Sequence, residues 1–253
     1  MLYNFEYSFP IEGKRRVFVP TLESRAFGET LCRRVLRRWT PPDYFFHFQR
    51  GGHVAATRVH LGSHLFVRLD LRRFYDSVTR TKVHRALCLC RFRHHFAWDA
   101  ACQSTVRKSG RGAPFSLPFG FVQSPVLASL ALGVSSLGTA LAQTHHGGLA
   151  LSVYMDDILI SGHDAKALSA ARSRLETAAA QSGFEFHPLK SFGPASALEV
   201  FNLALGHESL EVTASRLADF KTAILEGDPA TVAGILGYVG TVNRAQRGLL
   251  AGL

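Results

Sequence analysis

The stretch LALSVYMDDILISG, residues 149–162, places two adjacent carboxylates, Asp156 and Asp157, between two apolar runs of β-strand character. Acids in that setting repel each other and lose hydration as the strands pack, so a positive charge must lie close by. An Asp-Asp pair on its own is an ordinary turn element. The flanking Tyr154, the apolar strands and a third acid upstream change that reading. In SHLFVRLDLRRFYDSV, Phe66, Arg68 and Asp70 alternate with Val67, Leu69 and Leu71, a period of two that predicts a strand ending near Asp70. If this strand pairs with the YMDD hairpin, three carboxylates converge on one sheet edge. Hard divalent cations such as Mg²⁺ take such oxygen ligands, and a pair of them serves in-line phosphoryl displacement.

The other patterns frame this arrangement. Residues 23–39 have helical spacing and are stopped by Pro41 and Pro42. Gly51-Gly52 predicts a turn followed by a helix, and TRTKVHRALCLCRF predicts a helix capped by Thr79 or Thr81. GAPFSLPFGFVQSP is a Gly/Pro-rich loop leading into an uncharged helix over residues 125–142. The two strands around Asp156-Asp157 form a hairpin with those two residues as its connection. An amphipathic helix follows and ends at Gly183. VFNLALG and LEVT form a second small hairpin, and the segment from Asp228 onward is helical. This order predicts an α+β fold, an antiparallel sheet with helices on one face.

Charge points to the partner. The 253-residue chain carries 29 Lys and Arg against 19 Asp and Glu, a formal net charge of +10. Eleven of the basic residues fall between Val67 and Arg111, against three acids, whereas Ala113–Met155 has no charged side chain other than histidine. A basic stretch beside an uncharged core segment fits a polyanion, nucleic acid first. Cys32, Cys88, Cys90 and Cys102 include no C-x-x-C pair. His84, His94 and His95 admit zinc on composition, but the cysteines read as scattered reduced thiols. The N-terminus has early acids and no unbroken apolar run, so no signal peptide is expected and the expected location is cytoplasmic. The polar and glycine content of residues 124–143 predicts a buried helix and no membrane role.

The ordered set VRLDLRRFYDSV, LPFGFVQSP, VYMDDILIS, GFEFHPLKS and FNLALG resembles the successive palm motifs of reverse transcriptases. GKRRVFVPTLESR and HFQRGG resemble the fingers segments of bacterial members: retrons, group II intron enzymes and phage-defence reverse transcriptases. The resemblance implies a right-hand polymerase with fingers at 1–64, a palm at 65–206 holding inserted fingers elements at about 80–112, and a palm end with a short thumb at 207–253. It implies that Asp70, Asp156 and Asp157, with the Leu71 carbonyl, hold two Mg²⁺ ions (Mn²⁺ as substitute), and that Lys190 neutralises leaving pyrophosphate. Arg15, with Lys14 and Arg16 as neighbours, grips the triphosphate. Tyr75 is the aromatic gate against a 2′-hydroxyl, one of Phe74 and Tyr75 being core, and Phe119 and Gly120 also bind nucleotide. Gln123, Ser124, Leu205 and Gly206 contact template and primer, Ser124 with the alternative of capping the next helix.

The chain departs from the family at Phe119, where most members carry Gln, leaving only apolar contact or stacking there. The implied partners are deoxynucleoside triphosphates, the DNA product and an RNA template, in the extended case a dedicated noncoding RNA of a domesticated antiphage enzyme. A protein partner or second copy would compensate for the short thumb. Two alternatives stay open: a polymerase making repetitive or untemplated DNA, and a non-catalytic nucleic-acid-binding subunit.

Overall fold

A computed structural model describes residues 4–11, 15–107 and 113–252, the side chain of Arg15 excepted. Lys14 therefore lies outside the described residues. In chain order the elements are β1 (Phe5–Ile11), β2 (Arg15–Pro20), α1 (Leu22–Leu36), α2 (Gly52–Arg58), β3 (Leu65–Asp70), α3 (Phe74–Ser77), α4 (Arg80–Leu89) and α5 (His94–Gln103). There follow β4 (Val106–Arg107), β5 (Phe115–Ser116), α6 (Ser124–Gly133), α7 (Ser136–His146), β6 (Ala150–Tyr154), β7 (Asp157–Gly162) and α8 (Ala165–Gln181). The last are β8 (Phe192–Ala195), β9 (Ala197–Val200), β10 (Leu203–Gly206), β11 (Ser209–Val212), α9 (Ala214–Glu226), α10 (Pro229–Val242) and α11 (Arg244–Ala251). This is an α+β fold with antiparallel sheets.

The chain packs as two compact units. The first takes residues 1–43, 71–143 and 174–186. Its β1–β2 hairpin pairs Ile11 with Arg15 and Ser8 with Phe18. Phe18, Val106 and Phe121 share a small apolar cluster with Phe5. Thr79 caps α4 by accepting the Lys82 N–H, and α4 ends where Arg91 turns left-handed, φ 60°. The uncharged run does not form the single helix expected over 125–142. It breaks into α6 and α7, which bend by 71°. Most of α6 is buried around its whole circumference, so its lack of an amphipathic stripe is physical. The bend depends on Gly138. A Cβ there would lie 2.3 Å from the Gly133 carbonyl oxygen and 2.4 Å from that of Leu132. Among the described residues no single helix is long and apolar enough to cross a membrane.

The second unit takes residues 44–70, 144–173 and 187–253. Its main sheet has the order β6–β7–β3–β8. β3 runs antiparallel to β7 in the register Asp70↔Asp157, Arg68↔Leu159 and Phe66↔Ser161. The expected hairpin is present, but its connection is Met155-Asp156, one residue earlier than read from the sequence, because Tyr154 pairs with Asp157. Asp157 is thus the first residue of a strand. One face of the sheet, with Val67, Leu69, Val153, Ile158 and Ile160, is fully buried. The other contributes Phe66 and Leu159 to an apolar cluster shared with β9–β11 and α9–α11.

The second hairpin is present as β10–β11 and is extended by β9 into a three-stranded meander. VFNLALG is split by Phe201-Asn202, both left-handed at φ 55° and 59°. Two successive positive φ angles are what a tight hairpin turn requires. An aromatic residue is unusual there, but Phe201 is packed against the apolar cluster, which offsets the conformational cost. The helix α9 was not foreseen from the sequence. α10 is capped by Asp228, whose carboxylate accepts the N–H groups of Ala230 and Thr231.

Two helical glycines should respond oppositely to the same substitution. Gly138→Ala is expected to cost about 1–3 kcal/mol through the close crossing. Gly234→Ala in α10, where a Cβ meets open space, should gain about 0.5–1 kcal/mol. Urea unfolding measures both, and a neutral Gly138→Ala would contradict the described crossing.

Candidate active site

Asp70 closes β3 in the middle of the main sheet, and Asp157 opens β7 directly across from it. Side chains of such a pair project from the same face, and like charges there destabilise the pairing. The second unit answers with two cations. Arg68, two residues before Asp70 on the same face, donates to Asp157 Oδ1 from Nε at 2.9 Å and from Nη2 at 2.8 Å. Its remaining nitrogen, Nη1, donates to the Glu199 carbonyl of β9 at 3.1 Å, anchoring the guanidinium. Lys190 Nζ lies 3.5 Å from Asp70 Oδ2. Asp70 is buried, 5% exposed, and its N–H donates to Ser191 Oγ at 3.1 Å. His187 N–H donates to the Asp70 carbonyl at 2.7 Å.

The tip of the hairpin is held separately. Met155 is left-handed, φ 58°, a conformation that costs a non-glycine residue. Its N–H donates to His47 Nδ1 at 3.2 Å. Burial pushes the His47 imidazole down to about 4, against a backbone hydrogen bond with Val153 that acts in the opposite direction. A neutral ring with Nδ1 as acceptor is the form this contact needs. Asp156 is the other turn residue, partly exposed at the tip. Burial likewise pushes the Asp157 carboxyl up to about 6; Arg68 opposes this, and Asp156 and Asp70 add to it. A desolvated carboxylate beside two others still favours added positive charge after Arg68 has been counted. Three hard oxygen donors of this kind suit Mg²⁺ or Mn²⁺ chemically. Asp157 Oδ2 is not used by Arg68.

The second unit thus brings Asp70, Asp157 and Lys190 together and sets Asp156 next to them in the chain. Leu71 opens the second segment of the first unit, is buried, and bridges Phe186. The first unit also carries the expected nucleotide residues. Phe74 is core and Tyr75 is half-buried. The Tyr75 and Phe119 rings are 4.8 Å apart. Gly120 adopts φ 100°, and a Cβ there would sit 2.2 Å from the Phe18 carbonyl oxygen. Phe18 N–H in turn donates to the Phe119 carbonyl at 2.9 Å, so the loop lies against β2, the strand opened by Arg15.

Three side chains expected to contact template or primer are buried. Gln123 is 1% exposed, its Nε2 donating to Ser104 Oγ at 3.3 Å. Ser124 is 1% exposed and neither contacts solvent nor caps α6, since its Oγ donates to the Pro118 carbonyl at 2.7 Å. Leu205 is 1% exposed within the apolar cluster, leaving partly exposed Gly206 as its accessible neighbour. These side chains shape the loop and the core. Sequence reasoning missed Arg68 as the partner of Asp157, although its place on the Asp70 face was legible. It missed His47 and Ser191 altogether, as single residues far away in the chain.

Residues 11–203 match the family model for reverse transcriptase (RNA-dependent DNA polymerase). The chain is 23% identical over 228 residues to the retron Ec86 reverse transcriptase of Escherichia coli, covering 88% of this chain and 68% of that protein. Its fold is similar to telomerase from Candida albicans, with a TM-score of 0.59 and 10% identity over 97% of this chain and 54% of the other. It is also similar to the foamy viral protease–reverse transcriptase, with a TM-score of 0.52 and 16% identity over 91% of this chain. The chain spans about a third of that viral protein, 34%. At these identities the structural likeness is one of fold.

Because Asp157 is raised from 3.8 to about 6, the folded chain retains a proton there, between those two pH values, that the unfolded chain has released. Stability from this group is present below the ordinary aspartate value and is lost as pH rises through that window. Urea unfolding across about pH 4 to 6 should show a steeper decline for the wild type than for Asp157→Asn. Parallel profiles would mean that Arg68 fully compensates the burial.

Proposed function

The chain belongs to the reverse transcriptase (RNA-dependent DNA polymerase) family, and we propose that it extends a primer 3′-hydroxyl with deoxynucleotides, using Asp70, Asp156 and Asp157 as the carboxylate ligands of two Mg²⁺ ions. The observation that carries this is the facing pair Asp70↔Asp157 with Lys190 beside Asp70. When bound, the ions supply Lewis-acid stabilisation of the phosphoryl charge and a lowered hydroxyl pKa. The chain's own residues do the positioning. Arg68 fixes the Asp157 carboxylate and His47 fixes the turn that presents Asp156. Lys190 supplies a cation, and a proton donor, for the departing pyrophosphate. The Leu71 carbonyl is a further ligand in this reading. Arg15, Tyr75, Phe119 and Gly120 serve the incoming nucleotide, and Gly206 the template–primer strand.

The formal charge of +10 supports nucleic acid as the partner. The likeness to a retron reverse transcriptase supports a further step: a cytoplasmic antiphage enzyme copying its own noncoding RNA. Sequencing RNA recovered with the chain from its native host tests this. One dominant species is expected; a sample of bulk cellular RNA would refute it.

A second reading, repetitive or untemplated synthesis, is favoured by Phe119, whose ring packs on Tyr75 where the family pattern has a hydrogen-bonding Gln. Product sequencing separates the two. Under the second reading Phe119→Gln shifts the product toward a copy of the added RNA; unchanged faithful copying by wild type and variant rejects it.

Primer extension on an RNA template tests the main proposal. Asp157→Asn should lower the rate by at least about 100-fold. Lys190→Ala should lower the single-turnover rate by about 100-fold while leaving template–primer affinity nearly unchanged. Full activity of Asp157→Asn would overturn the assignment.

A further inference from the structure

A second group of metal-ligating side chains lies in the first unit, at the corner where α4 passes into α5. His84 and Cys88 are four residues apart and share one face of α4. Cys88 Sγ lies 3.4 Å from His84 Nε2. His94 opens α5, its ring 4.6 Å from that of His84 and at 89° to it. The ligand atoms of all three lie within 4.8 Å of one another. We infer that His84, Cys88 and His94 form a binding site for a borderline-soft divalent transition metal, Zn²⁺ in first place, that clips α4 to α5.

The donor chemistry selects the ion. Two imidazoles and a thiolate suit zinc and are poor ligands for Mg²⁺, which the three aspartates suit. A tetrahedral zinc with its usual bond lengths needs donors roughly 3.4–3.7 Å apart. The His84–Cys88 pair already meets this. His94 is exposed and Cys88 partly so, so small rotamer changes bring in the third ligand and leave the fourth position to water. The Trp98 ring, 5.5 Å from that of His84, walls one side.

The corner is braced without metal. Arg38 Nη1 donates to the Arg91 carbonyl at 2.8 Å, and its guanidinium lies 4.1 Å from the Phe92 ring centroid. The ligands are therefore presented by a frame that exists before the ion arrives, which lowers the cost of binding. Neither Cys90, buried on another face of the turn, nor Cys102 belongs to the group.

The test uses the full untagged chain, stripped with a chelator and titrated with Co²⁺ and then Zn²⁺. Stoichiometric Co²⁺ binding with a thiolate-to-cobalt charge-transfer band is expected, the band being removed by Zn²⁺. Zn²⁺ should also raise the melting temperature. Cys88→Ser should abolish the band, and His94→Gln, at an exposed position that leaves the fold intact, should weaken Zn²⁺ binding at least about tenfold. Cys102→Ser should retain both. Absence of the band, unchanged Zn²⁺ affinity in His94→Gln, or loss of the band in Cys102→Ser would each overturn the site and reduce Cys88 and His84 to a hydrogen-bonded pair.

Discussion

Two carboxylates facing each other across adjacent antiparallel strands govern the second unit. Asp70 and Asp157 are brought into register by the strands themselves, and the apolar residues on the opposite face leave no freedom to slide by one position. Repulsion is therefore built in and must be met locally. Arg68 meets it at Asp157 and Lys190 at Asp70. Even so, burial leaves Asp157 above the usual carboxylate range. An arrangement that costs folding free energy without added positive charge is what a cation-dependent site requires, and the meander and its helices supply the packing that sustains it.

Much of this was legible in the sequence because it depends on short-range pattern. The period of two in Leu65–Asp70 put Arg68 and Asp70 on one face, and the apolar runs around YMDD gave a hairpin. The one-residue error in its connection arose because Met155 takes a left-handed conformation that favours glycine or asparagine, so the turn was assigned to the two acids. The splitting of VFNLALG was hidden for the same reason: Phe201 in a turn contradicts local propensity and is held by packing. The break between α6 and α7 was hidden because a helix buried all round carries no periodic signal. His47 and Ser191 contribute through contacts to Met155 and Asp70, residues distant in the chain, so the motifs that contain them do not show these roles. The inward turn of the Gln123, Ser124 and Leu205 side chains was equally hidden, since burial within a loop or cluster is set by tertiary packing.

The two units carry different chemistries. Hard oxygen donors gather at the sheet edge of the second. In the first, imidazole and cysteine sulfur gather at a helix corner, and the aromatic pair Tyr75–Phe119 lies against a glycine loop. Ligand softness alone would sort ions between the carboxylate and histidine–cysteine groups, so the proposed magnesium and zinc sites can be tested separately.

The central claim is that the three aspartates gather a pair of divalent ions around reacting phosphate. It is tested most directly by frozen-solution electron paramagnetic resonance of Mn²⁺ on the chain bound to template–primer and a non-hydrolysable deoxynucleotide. The account predicts a spin-coupled manganese pair, at a separation of roughly 3.5–4 Å, that is lost in Asp70→Asn. Isolated manganese signals in the wild type, or a coupled pair that persists in Asp70→Asn, would contradict it.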